Sequence, residues 1–128
     1  MSVRVGIIGS SGAIGHAFTK QLRDKYPDAD IYTFSSSDAG RVEGSRHHVI
    51  DYTDEERIAK AAEAVAGDED FDLVIVATGF LHDKDRAIHP EKSLRDLSPE
   101  NFKALFAANT IFPALIAKYF LPLMHKDR

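Results

Sequence analysis

The stretch Val3-Arg4-Val5-Gly6-Ile7-Ile8-Gly9-Ser10-Ser11-Gly12-Ala13-Ile14-Gly15 leaves this chain few folds to choose from. Val3, Val5, Ile7 and Ile8 make a short, β-branched, apolar run, the pattern of a parallel strand covered on both faces. Glycines follow at 9, 12 and 15, and a helix is predicted from Ala13. Such a turn brings backbone close to a ligand, because no Cβ stands in the way. The helix start presents unpaired N–H groups and the positive end of its dipole, both suited to phosphate. Gly15 lets the helix lie close on the strand, and Ser10 and Ser11 add hydroxyl donors. Gly9, Ser10, Ser11, Gly12, Ala13, Ile14 and Gly15 therefore form a candidate pyrophosphate loop, with an ordinary tight strand-to-helix turn as the alternative.

Downstream, strand and helix patterns alternate. Ala13–Lys25 reads as a helix with Ala17, Phe18 and Leu22 inward, stopped by Pro27, which disfavours helix at Tyr26. Asp30–Phe34 reads as a second strand and His48–Asp51 as a short third. Thr53 and Glu56 have capping-box spacing ahead of a helix through Ala66, which Gly67 ends. Phe71–Ala77 reads as a fourth, buried strand. Strands alternating with helices predict a doubly wound parallel sheet in three αβα layers with right-handed crossovers. Thr78–Ser98 is a long charged connection. Ser98 as N-cap and Pro99 at the first helical position then open a last helix, whose second half is apolar nearly all round. Such a helix is expected to be buried, and the Ala104–Met124 region suggests a homo-oligomer.

At 128 residues the chain suits one domain with a real core. A net charge of -4 argues against nucleic acid as a partner. There is no cysteine, hence no disulfide or thiol chemistry. No secretory signal is apparent, and Asn109, Thr110, Pro113 and Lys118 break the longest apolar region, so a bilayer span is not expected. A cytoplasmic setting is the expectation. The six histidines show no i, i+4 pair of metal-site spacing, so no metal is expected, although His82 could border a substrate cleft.

Ligands of open parallel sheets sit beyond the carboxyl ends of the strands. An acid about 20 residues past the glycine turn would hold a ribose 2′-hydroxyl and select NAD. Ser35 stands there instead, and the first acid is Asp38. Ser35, Ser36 and Ser37, with Arg41, are thus candidates for a 2′-phosphate, which favours NADP over NAD; a solvated turn is the alternative. Asp51 and Tyr52 are placed to flank an adenine, or Asp51 simply ends its strand. Ala77-Thr78-Gly79 follows the fourth strand, and Gly79 would let the chain pass close to a ribose. Asn109 sits in an apolar helix four residues before Pro113, which has no N–H to give its carbonyl. The spacing predicts a carbonyl released from the helical ladder toward a water or ligand, or a kink without function.

These residues together resemble the short-chain dehydrogenase/reductases over essentially the whole chain. Phe106–Ala114 and Phe120–Met124 resemble that family's interface helix, and Ala77–His82 with Pro90–Leu94 resemble its C-factor and sniffer-type carbonyl reductases. The resemblance implies a Rossmann-like fold, incomplete at its C-terminal side. It also implies NADP or NAD as cofactor, hydride transfer to or from a small carbonyl or alcohol, and Asn109 as the catalytic asparagine whose carbonyl holds a water. Two details depart from the family: Ala13 stands where relatives carry a glycine, and Val76-Ala77-Thr78-Gly79 replaces Asn-Asn-Ala-Gly. The family's Tyr-x-x-x-Lys pair does not occur in these 128 residues. The expectation is a cofactor-binding part, residues 1–128, of a longer reductase; the alternatives are a non-catalytic nucleotide-binding protein that dimerises through residues 104–124, and an isomerase or epimerase.

Overall fold

The computed structural model describes residues 2–67, 69–79, 89 and 91–126. Its four strands are β1 (Arg4–Ile8), β2 (Asp30–Ser35), β3 (Arg46–Val49) and β4 (Leu73–Val76), all parallel, in the order β3-β2-β1-β4. Its helices are α1 (Ala13–Lys25), α2 (Glu55–Val65), α3 (Pro99–Phe106) and α4 (Phe112–Phe120). The pleat sorts the side chains of β1 and β2 to two faces. Val5, Ile7 and Ile31 meet Leu22 of α1, while Ile8, Tyr32 and Phe34 pack with Ile58 and Ala62 of α2 and Ile116 and Phe120 of α4. The result is the doubly wound, three-layer Rossmann-like sheet that the alternation implied.

At the amino end of the sheet, Arg4 is buried, and among the described residues its guanidinium is met by carbonyls and rings. It donates to the carbonyls of Val65, at 2.5 Å, and Glu69, and it lies between the rings of Tyr32 and Phe71 at 4.8 and 4.5 Å. Carbonyls and aromatic faces replace its lost hydration, and the end of α2 is thereby fixed to β1.

Several expected details differ. α1 has the expected bounds but turns Gly15 and Thr19 inward with Leu22, leaving Ala17 and Phe18 exposed. The close approach of Gly15 to the Gly9 carbonyl sets that rotation. β3 begins at Arg46, two residues early, where Arg46 bonds the Tyr32 hydroxyl and His47 bonds Thr33. The cap of α2 is Asp54, which accepts from Glu56 N, because the Thr53 hydroxyl is already given to Asp51 at 2.6 Å. β4 is shorter than Phe71–Ala77, and as the end strand of the described sheet it leaves Leu73 41% and Val76 39% exposed. Phe71 instead forms a lone parallel bridge to Met124.

Helical structure continues over Pro99–Leu123 and is covered on one side only. Ala108, Ile116 and Phe120 are buried, while Phe102, Phe106, Ile111 and Leu121 are exposed, so the expected all-round burial is not met within this chain. By length and composition the same 25 residues are long and apolar enough to cross a membrane, contrary to the sequence expectation. Their packing against α2 and β4 is that of a layer helix. His82, the charges Asp83–Arg86, and Pro90 lie outside the described residues.

α4 is tied to α2 where Glu55 accepts from Lys118 at 2.7 Å and from the Tyr119 hydroxyl at 2.8 Å. The Lys118 bond, then the Tyr119 bond, hold the Glu55 carboxyl below its ordinary range, and the same contact to Glu55 raises Lys118. A depressed carboxyl contributes stability that is present above its ordinary value and lost as pH falls through its folded value. Urea unfolding is therefore expected to show stability falling below about pH 4.5, with the Glu55 share of that fall absent in Glu55→Gln.

Candidate active site

The cleft is built around one carbonyl. Phe34 O, near the carboxyl end of β2, accepts from Gly9 N at 2.8 Å, Ser10 N at 3.1 Å, Ser10 Oγ at 3.3 Å and the Tyr52 hydroxyl at 3.1 Å. The glycine turn after β1 and the segment after β3 are thus tied to the same atom. Gly9 has φ +92°, and a Cβ there would fall 2.4 Å from Ala77 O; a Cβ on Gly15 would fall 2.2 Å from Gly9 O. The fold itself demands both glycines. Gly12 differs, since a Cβ there would meet nothing nearer than Gly9 O at 3.6 Å. Gly12 is the N-cap of α1, with no capping side chain and no acid in the first turn. The amides of Gly9 and Ser10 point inward, and Gly12 N donates to Gly9 O. Among the donors left for a ligand are those of Ser11, Ala13 and Ile14, unpaired groups at a helix start.

A cleft of about 300 Å³ opens beyond the strand ends. Gly9, Ser11 and Gly12 line it together with Ala77, Thr78 and Gly79, and Ser36, Asp51, Tyr52 and Thr53 complete its lining on the β2 and β3 side. Burial pushes the Tyr52 hydroxyl well above the usual tyrosine range, so it stays protonated as a donor to Phe34 O. Asp51 Oδ1 accepts from Thr53 Oγ1 and Thr53 N; these bonds, the side-chain one first, hold its carboxyl below the usual range. Asp51 therefore presents a charged acceptor at the rim at neutral pH.

Some predicted residues stand elsewhere. Ser10 is buried with its hydroxyl turned to Phe34 O, Gly15 serves helix packing, and Ile14 is exposed on α1 with Ala13 beside it. Ser35 is fully buried and donates to Ser37 O at 2.5 Å, which corrects the expectation that its hydroxyl faces a phosphate. Ser37 Oγ accepts from Ala39 N. Of that trio only Ser36 reaches the cleft, and Arg41 pairs with Asp38 at 3.0 Å. A larger open groove runs along α1 past Lys20, Asp24 and Glu43, but the Arg23 guanidinium there is committed to the carbonyls of Gly44, Tyr26 and Ala29.

Sequence reasoning missed Ala108 and Phe112, which close the cleft from the α3–α4 junction. Between those helices, Ala107–Ile111 runs as a π-turn, with Phe112 N donating to Ala107 O. A ladder with no N–H from Pro113 accommodates such a bulge, and Asn109 lies within it. Asn109 packs its side chain on Gly79, where a Cβ would fall 2.4 Å from Asn109 Oδ1. Gly79 thus makes room for an asparagine.

Comparison with known proteins follows this geometry. Residues 4–97 match the family model described as semialdehyde dehydrogenase, NAD binding domain. A search of curated protein sequences finds no match. Among solved structures, a short-chain dehydrogenase/reductase from Burkholderia multivorans with bound NADP superposes with TM-score 0.82 at 20% identity, over 99% of this chain and 56% of its own. An NADPH-bound carbonyl reductase from chicken fatty liver gives TM-score 0.75 at 19% identity, over 96% and 49%. An aldohexose dehydrogenase from Thermoplasma acidophilum gives 0.77 at 16% identity, over 96% and 44%. The chain spans about half the length of these structures, and its fold is that of the short-chain dehydrogenase/reductases.

The three glycines of the turn are separable by substitution. Gly9→Ala and Gly15→Ala are each expected to cost about 2 kcal/mol or more in urea unfolding, and Gly12→Ala less than about 0.5 kcal/mol.

Proposed function

The chain belongs to the family of semialdehyde dehydrogenase NAD-binding domains, and on that premise we propose that it is the cofactor-binding part of an NADP(H)-dependent reductase of the short-chain dehydrogenase/reductase type. Its substrate class is a small carbonyl compound or the corresponding alcohol. The observation that carries this reading is Gly12, which borders the cleft at the start of α1 where no contact of the fold requires a glycine. A pyrophosphate against the Ser11, Ala13 and Ile14 amides is what that bare position fits.

The remaining walls fit the rest of a dinucleotide. Asp51 offers an acceptor to an adenine amino group, and Ala77–Gly79 lie where a ribose would pass. Ser36, followed on the same loop by Arg41, suits a 2′-phosphate better than a bare 2′-hydroxyl, because no carboxylate stands at the end of β2 and Asp38 is paired with Arg41. The nicotinamide supplies or takes the hydride when bound. This chain's residues bind and orient it, and Asn109, beside Gly79, serves the proton-handling side of the reaction. The cleft tyrosine is no proton donor for substrate, since the Tyr52 hydroxyl is held by Phe34 O and raised by burial.

A second reading, a non-catalytic nucleotide-binding protein that self-associates, draws on the exposed Phe102, Phe106, Ile111 and Leu121. Cofactor binding without NADPH oxidation by any aldehyde or ketone would favour it.

Calorimetric titration is expected to find NADPH binding tighter than NADH. Gly12→Asp is expected to lower NADPH affinity at least about 100-fold, near 2.7 kcal/mol. Its thermal stability is expected to be unchanged or raised, because an acid caps a helix start while repelling phosphate. Undiminished NADPH binding by Gly12→Asp would overturn the proposal.

A further inference from the structure

His47 lies on β3, outside the cleft, yet it joins three residues that lead to it. Its Nδ1 stands 2.8 Å from the buried Thr33 hydroxyl, and its Nε2 stands 2.9 Å from Ser37 O and 3.2 Å from Ser35 Oγ. The protons on these atoms can be assigned. Ser37 O only accepts, so Nε2 carries the proton and donates to it. The Ser35 hydroxyl proton already goes to the same carbonyl at 2.5 Å, which leaves Ser35 Oγ an acceptor toward Nε2. Nδ1, unprotonated in the neutral ring, then accepts from Thr33. Every polar atom of the ring and of both hydroxyls is satisfied in this one arrangement.

The loop after β2 is therefore not held by its own turn alone. Two donors from the sheet, Ser35 Oγ and His47 Nε2, meet on Ser37 O and draw that carbonyl toward β3. Ser36, one residue earlier, is the member of the serine run that reaches the cleft, which Asp51 and Tyr52 also line. Asp38 and Arg41, paired with each other, follow on the same loop.

We propose that His47 is a positioning residue that sets the Ser36–Arg41 loop against the adenosine end of the cleft, and so governs discrimination between a ribose carrying a 2′-phosphate and one that does not. The inference rests on the cofactor reading above and adds to it a residue that touches no part of the ligand. Removing the imidazole leaves Ser37 O with Ser35 alone, and the loop gains alternatives in which Ser36 no longer faces the cleft. The glycine turn, anchored on Phe34 O, is untouched by that change.

The test is calorimetric titration of the full chain and of His47→Ala and His47→Gln with 2′,5′-ADP, 5′-AMP, NADPH and NADH. Wild type is expected to bind 2′,5′-ADP more tightly than 5′-AMP. His47→Ala is expected to lose about tenfold toward 2′,5′-ADP and NADPH while changing less than about threefold toward 5′-AMP and NADH. His47→Gln, which keeps an N–H donor near Ser37 O, is expected to restore most of the difference, a rescue that lost packing alone would not give. Equal loss toward all four ligands, or no loss, overturns the positioning role while leaving the cofactor reading standing. Failure of wild type to bind either dinucleotide overturns both. Should His47→Ala not fold, the ring ¹⁵N shifts of wild type decide: a protonated Nε2 with unprotonated Nδ1 is expected, and the opposite tautomer contradicts the clamp.

Discussion

The carbonyl oxygen of Phe34 is the point on which the cleft depends. Three protein segments far apart in sequence, the turn after β1, the end of β2 and Tyr52 after β3, meet there through four donors. A buried carbonyl that collects donors in a low-dielectric setting holds them more firmly than water would. Its consequence is a division of labour within the glycine turn. Gly9 and Ser10 spend their amides inward on the fold, so the donors beyond them, at Ser11, Ala13 and Ile14, are the ones presented outward. The spacing of glycines at 9, 12 and 15 combines two structural requirements, Gly9 and Gly15, with one opening, Gly12.

The parts legible in the sequence were those that local chemistry decides. The bounds of α1 followed from the glycine turn and Pro27, and the start of α3 from Ser98 and Pro99, whose roles as cap and first helical residue the structure repeats. Parallel pairing followed from the alternation of elements, and the order β3-β2-β1-β4 came only with the structure. What stayed hidden was set by contacts across the sequence. Gly15 meeting Gly9 O rotates α1, so Thr19 faces inward and Phe18 does not. Asp51 takes the Thr53 hydroxyl and hands the cap of α2 to Asp54. The burial of Arg4 under Tyr32 and Phe71 has no signature in spacing at all.

The candidate site shows the same boundary. Gly9, Ser11, Gly12, Ser36, Asp51, Tyr52 and Ala77–Gly79 were readable because they end strands, and strand ends converge in a parallel sheet. The distance of Ser35 and Ser37 from the glycine turn suggests ligand groups; only the register of β3 against β2, which sets His47 beside Thr33, shows that they face the sheet. Apolar composition in β4 and in the α3–α4 run likewise signals a need for cover, not which surface meets it. The contact of Asn109 with Gly79 joins two motifs that the sequence could only place side by side in a resemblance.

The most direct measurement is an amide ¹H–¹⁵N spectrum of the chain titrated with NADPH. The division of labour in the turn predicts the largest shifts at Ser11, Ala13 and Ile14, with further changes at Ser36 and Ala77–Gly79, while the amides of Gly9 and Ser10 keep their bonded positions. Shifts concentrated instead along the outer groove of α1 at Lys20 and Glu43, or none at the turn, would contradict it.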